Sequence, residues 1–165
     1  MSRTEKLVAE LEAEHDAFVA ALEAVDFELV TAPGVVEDWS VRDLVVHVAF
    51  WAEHATEALA LAAAGRGDEF AYDTAQTDAM NARLLEESRQ VKPGDAVDRE
   101  ERAFDALVSA VSALDPALLD VRLGNGDTVA QVIGYDGPAH YREHTAHLRA
   151  WFDDEGDDDE DLPGA

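Results

Sequence analysis

Near the end of the chain, His140-Tyr141-Arg142-Glu143-His144 sets two imidazoles four residues apart, and His147 follows three residues later. On an α-helix a spacing of four leaves two side chains about 40° apart around the axis, one turn above the other. Two histidines so placed can chelate one divalent ion, as on a zinc-protease helix. Leu148 and Trp151 continue the same stripe, so His140 and His144 are expected to face an interior. Two imidazoles leave such an ion short of a ligand. The best candidate for a third is His47, in Trp39-Ser40-Val41-Arg42-Asp43-Leu44-Val45-Val46-His47-Val48-Ala49-Phe50-Trp51. A lone histidine on an apolar face is more often a hydrogen-bonded core residue than a ligand. Three on the inward faces of two helices favour a shared metal. Spacing alone leaves His147 open as a replacement for His140 or His144, since it lies within about 60° of His144.

The chain has no cysteine. It therefore offers no disulfide framework and no thiolate nucleophile, and any metal must be held by His, Asp or Glu. Three neutral imidazoles leave a divalent ion net positive, with an open position for water, a thiol or a substrate oxygen. Zinc suits these donors best, and nickel or ferrous iron stays open because ligand type alone does not choose among them. Protons should compete for the imidazoles near their ordinary pKa of about 6.5. His15 stands alone in its stripe and reads as a core or boundary residue. His54, two turns beyond His47, lies roughly 10 Å along the axis and is too far to share its ion. Tyr141, Trp51 and Asn81 are candidate walls of a cavity, although each residue type more often simply packs.

The elements that must position these residues all read as helical. Ser2 with Glu5, Ser40 with Asp43, and Thr128 with Gln131 have capping-box spacing or close to it. Leu7, Leu11, Phe18, Leu22 and Val25 repeat at helical period in the first helix. After a connection containing Pro33-Gly34, a second helix is expected from Val41 to Ala64, stopping at Gly65-Arg66-Gly67. Asp73 should cap a helix over residues 74–91. Lys92-Pro93-Gly94-Asp95 breaks the pattern, and Asp95 with Asp98 should open the next helix, with Phe104, Leu107, Val108, Val111 and Leu114 on its core face. Thr128 and Gln131 are expected to cap one more turn, and Pro138 to open a final helix ending near Phe152. Residues 1–152 then form one helical domain. Residues 153–165 form an acidic tail, acidic at every position from Asp153 to Asp161 except Gly156. The tail lacks the ligand spacing of a calcium loop and reads as a disordered, solvating segment.

The formal net charge is −25, with Lys6 and Lys92 the only lysines beside ten arginines. Such a chain should repel nucleic-acid phosphates and anionic membranes, so neither is expected as a partner. No apolar run reaches spanning length and no signal peptide opens the chain, so a soluble, cytoplasmic protein is expected. Self-repulsion of this size fits a halophilic setting, because the Debye length falls to roughly 3 Å in 1 M salt.

Together, Trp39-Ser40-Val41-Arg42-Asp43-Leu44 with His47, then His140-Tyr141-Arg142-Glu143-His144 and Leu148-Arg149-Ala150-Trp151, resemble the DinB-like superfamily. The similarity is to its DinB/YfiT-like metalloenzymes and to the metal-binding domain of mycothiol-dependent maleylpyruvate isomerase. This resemblance implies an all-α four-helix bundle with a long crossover and additional short helices. It also implies a divalent metal held by His47, His140 and His144, and places His147 outside the ligand set. In the isomerase branch a carboxylate takes one ligand position on the last helix. Here Glu143 points about 100° away from His144, and His140 occupies the useful turn. The activity implied is that of a thiol-dependent transferase or isomerase acting on a small-molecule substrate, with a low-molecular-weight thiol as co-substrate. A metal-dependent hydrolase and a non-catalytic, stress-related metal-binding scaffold are the alternatives. No catalytic or cofactor-binding residue beyond the three ligands is assigned, and homodimerisation stays open.

The charge generates a direct test. Thermal melts between about 0.1 M and 3 M salt should rise steeply as screening removes self-repulsion. A flat melting temperature across that range would remove the halophilic reading.

Overall fold

Paired capping interactions start the first two helices. In the computed structural model, which describes residues 1–157, α1 (Arg3–Glu23) follows Ser2 and α2 (Val41–Ala63) follows Ser40. Each serine hydroxyl accepts the amide of the third helical residue, and the side chain of that residue, Glu5 or Asp43, accepts the serine amide in return. Two of the otherwise orphaned donors at each helix start are thereby satisfied. The chain continues through α3 (Thr77–Ser88), α4 (Pro93–Ala113), α5 (Val129–Asp136) and α6 (Pro138–Asp157). Short 3-10 turns occupy Phe27–Leu29, Gly67–Glu69, Thr74–Gln76 and Pro116–Asp120.

Several boundaries differ from the sequence expectation. Asp73 caps a 3-10 turn rather than α3 itself. α4 opens at Pro93 without a side-chain cap, because proline at the first position has no amide to satisfy; Asp95 therefore lies within its first turn. Thr128 and Gln131 do form a capping box, but for an eight-residue helix rather than a single turn. α6 runs past Phe152 to Asp157, so the proposed tail boundary at residue 153 falls inside a helix. The rest of that tail, residues 158–165, lies outside the described residues.

The four long helices α1, α2, α4 and α6 make the bundle, with α2 packed on α4, α1 on α6, and α1 on α4. The long crossover joins α2 to α4 and carries α3, while α5 sits in the connection between α4 and α6 and packs on both α2 and α6. Among the described residues the only strand-like pairings are isolated bridges, Val36 with Trp39 and Arg122 with Thr128. α2 is the central element: fifteen of its 23 residues are buried, including His47 and His54. A helix hydrophobic nearly all round belongs inside a bundle, and Ala49, Ala52, Ala55, Ala58 and Ala62 let its neighbours approach closely.

Two buried carboxylates hold this frame in register. Asp43 is 3% exposed and accepts Ser40 N at 2.9 Å, Ser40 Oγ at 2.7 Å and, from the end of α3, Ser88 Oγ at 2.6 Å. Burial pushes its carboxyl up, but the hydrogen bonds from Ser88 and Ser40, with the charge of Arg42, outweigh this and hold it below the usual range. Glu100 on α4 is 1% exposed; it accepts the Tyr141 hydroxyl of α6 at 2.6 Å and lies 3.1 Å from His15 Nε2 of α1. The His15 ring stacks on Phe104 at 3.5 Å. Tyr141, expected on a cavity wall, is thus a fully buried core residue on the other face of α6. Gly137 separates α5 from α6, and a side chain there would meet Ile133 O at 2.5 Å, so the sharp turn that launches α6 requires glycine.

Tyr141→Phe removes the neutral donor from Glu100 and leaves a buried carboxylate short of a partner. Denaturant unfolding at fixed salt should show a loss of about 1–3 kcal/mol. An unchanged midpoint would show that Glu100 is satisfied without Tyr141.

Candidate functional site

α2 and α6 bring His47, His140 and His144 to one point. His140 Nε2 lies 2.8 Å from His47 Nε2 and 2.9 Å from His144 Nε2. One nitrogen from each ring falls within 4.8 Å of the others. His47 and His144 are each 7% exposed; His140 is intermediate as a whole residue, but its ring is buried with the other two. The register is local in origin: Ser40 and Asp43 fix the start of α2 one turn before His47, and Gly137-Pro138 fixes the start of α6 just before His140. The Trp39 ring meets His47 edge-on at 4.9 Å, which limits how that imidazole can turn.

The rings are held in their neutral form. Burial pushes His47 down to about 4, partly offset by the Asn81 side chain. Burial, and then the neighbouring His47, pushes His140 down to about 3. His144 is lowered further, by burial first and then by His140, His47 and His147. A neutral imidazole is the ligating form, so proton competition moves from the ordinary value near 6.5 to about pH 4 in the folded protein.

Proton placement tests whether this donor set fits an ion. Each short nitrogen–nitrogen contact accommodates one proton, and both contacts share His140 Nε2. If the three Nε2 lone pairs instead face one cation, the ring protons move to the Nδ1 atoms. His144 Nδ1 then has a partner, His147 Nδ1 at 3.1 Å. His47 Nδ1 and His140 Nδ1 are buried without a protein partner. The convergence of the Nε2 atoms makes the triad a donor set that can hold a divalent ion; in that tautomer only the His144 Nδ1–H has a protein partner, His147, which meets the far nitrogen of His144 rather than the point of convergence.

The triad opens on a cavity of about 720 Å³. Trp39 and Trp51 line it from α2 and the loop before it, Asn81 and Asp78 from α3, and Tyr135 and Asp136 from α5. Trp51 Nε1 donates to Asn81 Oδ1 at 3.1 Å, which ties the crossover to α2; both residues were expected at the wall. His54 does not join the triad; its Nδ1 lies 2.9 Å from Asp136 Oδ2, with both side chains buried. Asp136, Tyr72, Asp127 and Tyr135 were not anticipated as site residues. Asp136 lies four residues before His140, a spacing that reads as a helical neighbour only if α5 and α6 were one helix, and Gly137 divides them.

The chain matches the family described as mycothiol maleylpyruvate isomerase N-terminal domain over residues 11–150. A comparison with curated proteins finds no match. Among solved structures, an uncharacterised protein from Escherichia coli UTI89 superposes with a TM-score of 0.79 at 16% identity, over 94% of this chain and 96% of that one. The colibactin self-resistance protein ClbS, in complex with a dsDNA, superposes with a TM-score of 0.76, also at 16% identity, over 91% of this chain and 95% of that one. The ClbS complex corrects the exclusion of nucleic acid from the partners of this chain, which rested on net charge alone. Charges beyond a Debye length, about 8 Å at physiological ionic strength, are screened, so local charge at a contact surface outweighs the chain total. Among the described residues no helix is long and apolar enough to cross a membrane. The bundle is the DinB/YfiT-like fold, and the chain belongs to the mycothiol maleylpyruvate isomerase N-terminal domain family.

Proposed function

We propose that His47, His140 and His144 hold a divalent metal ion, most readily zinc, and that the cavity beside them is the site of a thiol-dependent transfer or isomerisation of a small molecule. The observation that carries this reading is the convergence of three buried Nε2 atoms at the wall of a 720 Å³ cavity. A bound ion there would act as a Lewis acid, lowering the pKa of a coordinated thiol or water. The thiol has to come from a co-substrate, since the chain contains no cysteine.

The chain's own residues have distinct parts in this scheme. The three imidazoles present their Nε2 lone pairs and keep their protons on Nδ1. His144 Nδ1–H donates to His147 Nδ1, which fixes the tautomer and orientation of His144. Trp39 and Trp51 flank His47 and limit the access of water to it. Among the described residues no fourth His, Asp or Glu joins the cluster, which leaves a position open toward the cavity. That supports a reactive centre over a closed structural one.

Elemental analysis of single variants tests the assignment. His47→Ala, His140→Ala and His144→Ala should each lose stoichiometric zinc, whereas His15→Ala and His54→Ala should keep it. His147→Ala should bind about 10–100-fold more weakly without emptying the site at saturating zinc. If His147→Ala empties the site and His140→Ala does not, the ligand choice on α6 is wrong. The pH dependence follows from the depressed imidazoles: falling pH protonates the ligands and releases the ion. Retention should persist below the ordinary value of about 6.5 and fail as pH falls through about 4. Complete release already at pH 6 would contradict the burial argument.

A further inference from the structure

The charged side chains of the cavity wall are all of one sign. Five carboxylates line it, Glu37, Asp78, Asp127, Asp136 and Glu143, and no lysine or arginine does. The chain as a whole is acidic, yet it also has ten arginines. Those that form ion pairs do so elsewhere, with partners such as Asp120, Asp43, Glu69, Glu53 and Glu10. Among the described residues none of the five wall carboxylates is paired with an arginine or lysine. Glu37, Asp78 and Glu143 are exposed at the rim, where solvent screens them.

Asp136 differs from the rim residues, because its side chain is only 8% exposed. One oxygen, Oδ2, is occupied by His54 Nδ1. No hydrogen bond to the other, Oδ1, is found among the described residues, and Asp136 is one of the residues that line the cavity. Aromatic rings share this wall: His54, the partner of Asp136, packs edge-on against Trp51 at 5.0 Å and Tyr72 at 4.7 Å, and Trp51 and Tyr72 line the cavity with Asp136. A buried carboxylate next to aromatic faces is a recognition surface for cations, through a charge-assisted hydrogen bond and ring-face attraction. Burial raises the Asp136 carboxyl, partly offset by the bond and charge of His54, and it also leads the shifts of two wall hydroxyls. Tyr72 is raised by burial and by the charges of Asp136, Asp73 and Asp78, and Tyr135 by burial, its bond to Asp127 and the charge of Asp136.

We propose that the small molecule taken by this cavity bears a cationic group, an amine or a similar cation, seated at Asp136 against Trp51 and Tyr72. This rests on reading the cavity as the substrate site, but not on the ion at the triad, because Asp136 is outside the triad. In the ion-free protein an anionic substrate would meet five carboxylates and no side-chain cation; an ion at the triad would add positive charge at the far wall, so the two states are tested separately.

Three aromatic probes of similar size and different charge test the proposal: phenethylamine, phenethyl alcohol and phenylacetate. Binding is measured by tryptophan fluorescence and calorimetry on the full chain, both zinc-supplemented and chelator-treated, at one ionic strength. Phenethylamine should bind about tenfold or more tighter than either other probe to the chelator-treated protein, where no ion can hold the carboxylate, and should still bind more tightly than phenethyl alcohol when zinc is present. Asp136→Asn should abolish that preference, and Asp78→Asn, at the exposed rim, should reduce it by a smaller factor while remaining folded. If Asp136→Asn does not fold, Asp78→Asn and the wild-type ranking decide. Phenylacetate binding as tightly as phenethylamine to the chelator-treated protein, failure of all three probes to bind, or a preference untouched in both variants overturns the proposal. Loss of zinc binding with the amine preference intact would instead overturn the metal reading and leave this one standing.

Discussion

Three buried imidazoles face one another across less than 3 Å, His47 to His140 and His140 to His144, and the bundle is arranged around that constraint. Basic groups so placed cannot all be protonated, because burial and mutual repulsion oppose every added charge. Nor can each keep its proton on Nε2, since both short contacts end on the same atom. Lone pairs facing a single cation remove that clash and leave the ring protons on the Nδ1 atoms, where those of His47 and His140 have no protein acceptor. On that side His144 meets His147. The same burial that lowers the imidazole pKa values keeps the ligands neutral in mildly acidic solution, so one physical cause supports both the geometry and the chemistry.

Holding the rings in place requires α2 and α6 to be fixed at both azimuth and height. Ser40 and Asp43 set the height of α2, and Ser88 links that helix start to α3. Glu100 and Tyr141 set the azimuth of α6 by holding its opposite face to α4. Because Tyr141 and His140 are adjacent, anchoring one toward the core directs the other toward the cavity. The polar core is therefore part of how the site is aimed. Gly137 contributes the turn that lets α5 and α6 approach the cavity from different directions.

Much of this was legible in the sequence, for identifiable reasons. Capping boxes are local, so Ser2, Ser40 and Thr128 marked helix starts correctly. The spacing of His140 and His144 is intrahelical and survives any arrangement of the bundle. His47 was harder, because its meeting with α6 depends on packing between distant segments, and the family resemblance supported what periodicity only suggested. Asp136 was not legible: its link to His54 spans 82 positions in sequence and depends on where Gly137 breaks the helix. Glu100 was hidden because a buried carboxylate looks, in sequence, like any other acid on an acidic helix. Total charge misled about nucleic acid, since ClbS shares the fold and is seen with a dsDNA. What matters at a contact is where the charges lie, and in this cavity that is a wall of carboxylates beside three neutral imidazoles.

Zinc K-edge X-ray absorption on the zinc-loaded protein tests the central claim most directly, because it reads the ligands themselves. The account predicts three imidazole nitrogens per zinc at about 2.0–2.1 Å, with one water oxygen completing the shell. A shell dominated by carboxylate or water oxygens, with fewer than two imidazoles, would contradict it.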